Sequence, residues 1–201
     1  MKEALAVLGG YVLGALPFGY WLPLLIRGDD IRRHGSGNVG ASNVFRVYGR
    51  SLGVPVAVLD VAKGFAAASL GLWAGGALVG VLAAAAAMLG HARPVFLRFQ
   101  KGGKMVATAG GATFALAPLV AFCCIGIWLV VFLLSRFASL ASIVTALALA
   151  VLVVAFDYPW PVIVFGLAGA AAVIAMHHQN IRRLVAGTEH RFELRRSPRA
   201  S

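Results

Sequence analysis

Three short polar stretches interrupt an otherwise apolar chain, and each carries residue types suited to holding a phosphate. The first, GSGNVGASNVFR at residues 35–46, sets Gly35, Gly37 and Gly40 among Ser36, Asn38, Ser42, Asn43 and Arg46. Glycine tolerates positive φ and close backbone approach, so successive N–H groups can converge on an anion while Ser and Asn add hydrogen bonds. No Gly-Lys-Ser/Thr follows, so this is not a Walker nucleotide loop, and taken alone it fits a solvated loop equally well. The second, GHARPVFLRFQKGGKMVAT at residues 90–108, flanks Gly102 and Gly103 with Lys101 and Lys104 just ahead of an apolar run. Amides at a helix N-terminus joined by lysine form a phosphate site, although lysines there can also snorkel to lipid headgroups. His91 reads as an interfacial hydrogen-bonding residue rather than a ligand. The third, HHQNIRRLVAGTEHRF at residues 177–192, offers His177, Asn180, Arg183, Glu189 and His190. Arginine alone would satisfy a topological demand for positive charge, so this mixture points to chemistry.

These stretches must be held by membrane helices. Of the 201 residues, 60% are hydrophobic and 12% charged, with a mean hydropathy of +0.86; a soluble domain carries about 25% charged residues. The net charge of +11 would suggest nucleic acid in a soluble protein, but here the charges sit between apolar runs. The first run is longer than a signal-peptide core and lacks a small-x-small cleavage site, so it reads as a retained span. Cys123 and Cys124 are adjacent within an apolar run with no other cysteine, which excludes a disulfide framework and a cysteine zinc site.

Apolar runs occupy residues 4–26, 54–73, 76–89, 105–134, 140–156 and 160–176. A single helix over 105–134 would be about 45 Å long, too long for a hydrocarbon core of about 30 Å without strong tilt. Pro118 offers a break. Dividing the run there places every Lys and Arg except Lys2 and Lys63 on one side, as the positive-inside rule asks. The fold class expected is therefore an all-α integral membrane protein with seven transmembrane helices, the N-terminus outside, the C-terminus cytoplasmic and the fourth helix short. Residues 1–192 form a single domain with cytoplasmic motif segments at 27–53, 90–108 and 177–192. A basic tail at 193–201 is expected to be disordered near anionic lipid. Gly76, Gly80, the run Ala83 to Ala87, Gly166 and Ala170 suit close helix packing in lipid. Asp60 and Lys63, at i and i+3, read as an ion pair bracing the cytoplasmic end. Ionisable groups at membrane depth keep open a second class of function, transport of an anionic metabolite.

Taken in order, the three stretches resemble the bacterial acyl-phosphate:glycerol-3-phosphate acyltransferase family over nearly the whole chain. The resemblance implies an inner-membrane enzyme that transfers a fatty acyl group from acyl phosphate to the 1-hydroxyl of glycerol 3-phosphate, giving lysophosphatidic acid. Its partners are glycerol 3-phosphate, acyl phosphate and membrane lipid, with no nucleic acid, and neither metal nor cofactor is implied. It assigns Ser36 and His190 to catalysis. It assigns Gly35, Gly37, Asn38, Asn43, Arg46, Lys101, Gly102, Gly103, Lys104, Ser142, His177 and Asn180 to the phosphates and glycerol. Two positions depart from the family pattern: Ser42 stands where Thr is usual, and Met105 where Gly usually follows Gly-Gly-Lys. A Ser36, His190 and Glu189 triad is disfavoured, because adjacent Glu189 and His190 are poorly placed to aim at each other. Acyl-CoA-dependent acyltransferases commonly carry His followed five residues later by Asp, and none of the 5 histidines has that neighbour.

Overall fold

A helix from Lys2 to Ala15 (α1) stops where Leu16 turns extended ahead of Pro17, then resumes as α2, Phe18–Arg27. The residue before proline is driven out of the helical region, so the Leu16 carbonyl has no i+4 helical donor and accepts the Phe18 N–H at 3.1 Å instead. The computed structural model describes residues 1–192, and every regular element among them is helical. The basic tail expected at 193–201 lies outside the described residues.

After α2 come a single 3₁₀ turn and the amphipathic α3 (Ala41–Tyr48), then α4 (Arg50–Ala92), which is two arms hinged at Gly75 and Gly76. Gly76 has φ 72°, a conformation that glycine adopts without a Cβ penalty. The arms fold back on each other, so that Gly71 meets Gly80 and Lys63 meets His91. Gly76 was expected to pack helices; it makes the hinge instead, with nothing within 4 Å of a Cβ placed there.

The apolar run at 105–134 divides at Pro118, giving the short α5 (Val106–Leu116) and α6 (Pro118–Ser135). Then follow α7 (Ala138–Ala155), α8 (Trp160–Met176) and α9 (His178–Val185), the last bent 59° from α8. Among the described residues, Lys2–Arg27, Arg50–Leu97, Pro118–Ser135 and Ala138–Ala155 are long and apolar enough to cross a membrane, and α8 with α9 makes a fifth such stretch.

Small residues let these helices approach closely. A Cβ on Gly10 or Gly14 of α1 would lie 2.5 Å from the Ala83 carbonyl oxygen or 2.0 Å from that of Ala87. Gly64 and Gly111 mark a similarly close crossing of α4 with α5, and Gly166 of α8 packs on Val153 of α7. In lipid such contacts gain by dispersion what burial from water would supply in a soluble core. They also hold the polar ends of the helices in one place.

Candidate active site

All three polar stretches border one cavity of about 560 Å³ at the end of the bundle where α3, α5 and α9 begin. Ser36, Asn38, Asn43 and Arg46 line it from the first stretch, Lys104 from the second, and His177, Asn180, Arg183, Glu189 and His190 from the third.

The glycines and asparagines of the first stretch shape their own loop. Gly35 and Gly37 take φ of 58° and 68°. The Asn43 amide donates to the carbonyls of His34 at 3.0 Å and Asn38 at 2.9 Å, while its Oδ1 accepts the Ser36 N–H at 3.0 Å. Asn38 accepts the Gly40 N–H at 2.8 Å and donates to the Gly102 carbonyl at 3.0 Å, tying the first stretch to the second. Gly102 and Gly103 donate in turn to the carbonyls of Ala92 and His91.

The expectation that glycine-motif amides converge on an anion is therefore corrected. The N–H groups of Ser36, Gly37, Gly40, Gly102 and Gly103 already have internal acceptors. Gly35, Gly37, Gly102 and Gly103 do not line the cavity, and neither does Lys101, which is exposed. Glycine is needed because the loop closes so tightly: a Cβ on Gly103 would lie 2.0 Å from the His91 ring. Backbone donors without an intrahelical acceptor remain in the first turns of α3 and α5, both of which border the cavity.

Glu189 organises the third stretch. Its Oε1 accepts from Asn180 at 2.6 Å and from Ser139 at 2.8 Å, and its Oε2 accepts from Arg183 at 2.7 Å. Burial pushes its carboxyl up, but the hydrogen bonds from Asn180, Arg183 and Ser139 outweigh that and leave it below the usual carboxylate range. Asn180 Oδ1 accepts from the Lys104 ammonium. Burial pushes Lys104 down to about 8; Glu189 opposes the shift, and Arg183, Lys101 and Arg46 add to it. Burial also lowers Arg46, whose Nε is buried without a partner among the described residues. With Arg183 paired to Glu189, Lys104 and Arg46 leave the mouth of the cavity with excess positive charge, which suits an anionic ligand.

Ser36 and His190 are exposed at the rim of the same cavity, and among the described residues neither side chain has a hydrogen-bond partner. Glu189 is committed elsewhere, so a Ser36, His190 and Glu189 relay does not form. His177 donates from Nδ1 to the Val173 carbonyl at 2.7 Å, which leaves Nε2 as an acceptor facing the cavity. Ser142 is less available: its hydroxyl donates to the Ala138 carbonyl at 2.7 Å and accepts from the Trp128 indole at 3.2 Å. Asp60 and Lys63 do pair, at 2.8 Å. His91 is buried beside them rather than interfacial, a correction that follows from α4 folding back at Gly75 and Gly76. Sequence reasoning missed Ser139 and the organising role of Glu189. Ser139 precedes Ser142 by one helical turn, and that i, i+3 spacing was the available signal.

Away from the rim the cavity is apolar, walled by Val58, Val61, Phe114, Ile125, Leu149 and Val173 from α4 to α8. A ligand with one anionic end and one hydrocarbon end would match both parts.

A family model described as glycerol-3-phosphate acyltransferase matches residues 4–187. A glycerol-3-phosphate acyltransferase of Synechococcus sp. (strain JA-2-3B'a(2-13)) is 46% identical over 192 residues, covering 96% of both chains. Glycerol-3-phosphate acyltransferase 2 of Moorella thermoacetica is 46% identical over 94% of this chain and 96% of its own. The crystal structure of PlsY (YgiH), an integral membrane glycerol 3-phosphate acyltransferase, in its glycerol 3-phosphate form superposes with a TM-score of 0.92 at 40% identity, covering 96% of each chain. The lysophosphatidic acid form gives 0.89 at 39% identity, again over 96% of each chain.

Proposed function

The chain belongs to the glycerol-3-phosphate acyltransferase family and is a multi-pass membrane enzyme; from that premise we propose that it transfers a fatty acyl group from acyl phosphate to the 1-hydroxyl of glycerol 3-phosphate, releasing lysophosphatidic acid. The observation that carries this reading is the cavity itself, with Lys104 and Arg46 at a cationic mouth and an apolar interior behind them. The phosphates sit at the mouth, against Arg46, Lys104 and the first-turn amides of α5, and the acyl chain lies among α4 to α8.

The 1-hydroxyl attacks the acyl carbonyl, a tetrahedral oxyanion forms, and phosphate leaves with the electrons of its C–O bond. Phosphate departs readily, so the demands are to take the hydroxyl proton and to stabilise the oxyanion. Attack is direct, with His190 or the substrate's own phosphate accepting the proton; Ser36 positions the substrate. The His177 Nε2 acceptor and the Asn180 amide orient the glycerol.

The arms of α4 count as two spans and α5 as a short one, giving seven crossings of the inner membrane with the motifs cytoplasmic. This reading is supported by the clustering of Lys and Arg at the motif end. A reporter fused after Phe192 is then cytoplasmic and one inserted at Asp157 external; both on one side would overturn the topology. For the reaction, purified protein receives glycerol 3-phosphate with either acyl phosphate or acyl-CoA. Lysophosphatidic acid forms with acyl phosphate alone, and equal or greater turnover of acyl-CoA would overturn the assignment of the donor.

A further inference from the structure

The second polar stretch is backed by a buried trio that the proposed chemistry leaves unused. Lys63 has a side chain only 2% exposed, and its ammonium is ion-paired with Asp60 at 2.8 Å, donates to the Leu16 carbonyl at 3.0 Å and meets His91 Nδ1 at 2.8 Å. An ammonium can only donate, so His91 Nδ1 must present its lone pair. An N–H on Nδ1 would point at the Lys63 ammonium, 2.8 Å away. The neutral ring therefore carries its proton on Nε2.

That Nε2–H has no protein partner among the described residues, although His91 is only 6% exposed. The ring lies over Gly103, where any Cβ would collide with it, and it lines the cavity from the end of α4, against the loop that presents Lys104. The ring borders the cavity, so this N–H is free to donate to a ligand held there. Asp60 and Lys63 also fix the ring, because the Leu16 carbonyl and the carboxylate hold the ammonium in place.

We propose that His91 is a further substrate-binding residue: its Nε2–H, set by Lys63, donates to a phosphoryl oxygen of the substrate seated beside Lys104. Lys63 and Asp60 are positioning residues that act through it. The assignment rests on phosphate substrates occupying this cavity, and wild-type turnover of acyl phosphate checks that premise separately.

The test compares purified wild type, His91→Phe and His91→Gln, with KM measured separately for glycerol 3-phosphate and for acyl phosphate. Gln can place an amide N–H near the Nε2 position, whereas Phe cannot. His91→Phe should raise KM for one of the two phosphates by roughly tenfold or more with kcat little changed, and His91→Gln should recover most of it. The substrate whose KM moves is the one His91 touches. Unchanged KM values in His91→Phe, a fall confined to kcat, or a Gln variant as impaired as Phe would overturn the proposal. Should His91→Phe fail to fold, His91→Asn replaces it, because its shorter amide reaches only the Nδ1 position: an impaired Asn beside a competent Gln supports the assignment, and equal behaviour refutes it. A wild type inactive with acyl phosphate would instead overturn the donor reading and leave the His91 contact to be judged by the KM for glycerol 3-phosphate.

Discussion

The Lys104 ammonium donates to the Oδ1 of Asn180, joining the loop ahead of α5 to the helix that follows α8. Asn180 passes the connection on to Glu189, which also collects Ser139 and Arg183. One carboxylate thus orders three donors beneath a cationic mouth.

Glu189→Ala should destabilise the protein by about 2 kcal/mol at neutral pH, the low end for a hydrogen-bonded charge because Arg183 is partly exposed to solvent screening. The sign with pH follows from the direction of the shift. The folded carboxyl titrates below its unfolded counterpart, so its contribution is present above the usual carboxylate range and is lost as pH falls through the folded value. Unfolding in mixed micelles should therefore show a gap between wild type and variant at pH 7 that closes in acid. A gap independent of pH would mean the carboxylate charge contributes nothing.

Lys104 is pushed down to about 8, so it loses its charge as pH rises through that value in the free enzyme. The alkaline limb of kcat/KM should bend near pH 8, while Lys104→Arg, charged throughout, should lack the bend. Lys104→Ala should raise KM for a phosphate substrate roughly ten- to a hundredfold. An identical alkaline limb in the arginine variant would assign the titration to another group.

Met105 caps the start of α5 with φ 68° and ψ −14°, a left-handed conformation, and it is buried in the apolar cluster that also holds Met88, Ala92 and Ala109. This explains physically why glycine suits the position. Met105→Ala and Met105→Gly lose the same packing beyond Cβ, but only glycine escapes the left-handed penalty. The Gly variant should be the more stable of the two by about 0.5 to 1 kcal/mol, once its greater unfolded-state entropy is subtracted. Equal unfolding midpoints would contradict the backbone account.

Much of this was legible in the sequence because its signals are local. Pro118 divided an apolar run too long for one span, and the i, i+3 spacing of Asp60 and Lys63 foretold their pairing. The three polar stretches, read together, were expected to meet, and they border one cavity. What escaped depended on chain reversal and hydrogen-bond competition. The hinge at Gly75 and Gly76 buries His91 against Lys63, a contact across 28 positions that periodicity does not encode. The amides of Gly102 and Gly103 looked available for an anion until the end of α4 was seen to claim them. Ser139 was hidden among the small residues of an apolar helix, its role set by Glu189 fifty positions away.

The central claim is that the first and third stretches serve one transition state in one cavity, and a double-mutant cycle on Ser36 and His190 tests it most directly. Both side chains lack protein partners among the described residues, so their removal should leave the fold intact. Ser36→Ala and His190→Ala should each lower kcat/KM by about a hundredfold or more. The double variant should lose much less than the product of the two, as groups acting on one transition state do. Strictly multiplicative losses, or a destabilised protein in either single variant, would contradict the shared site.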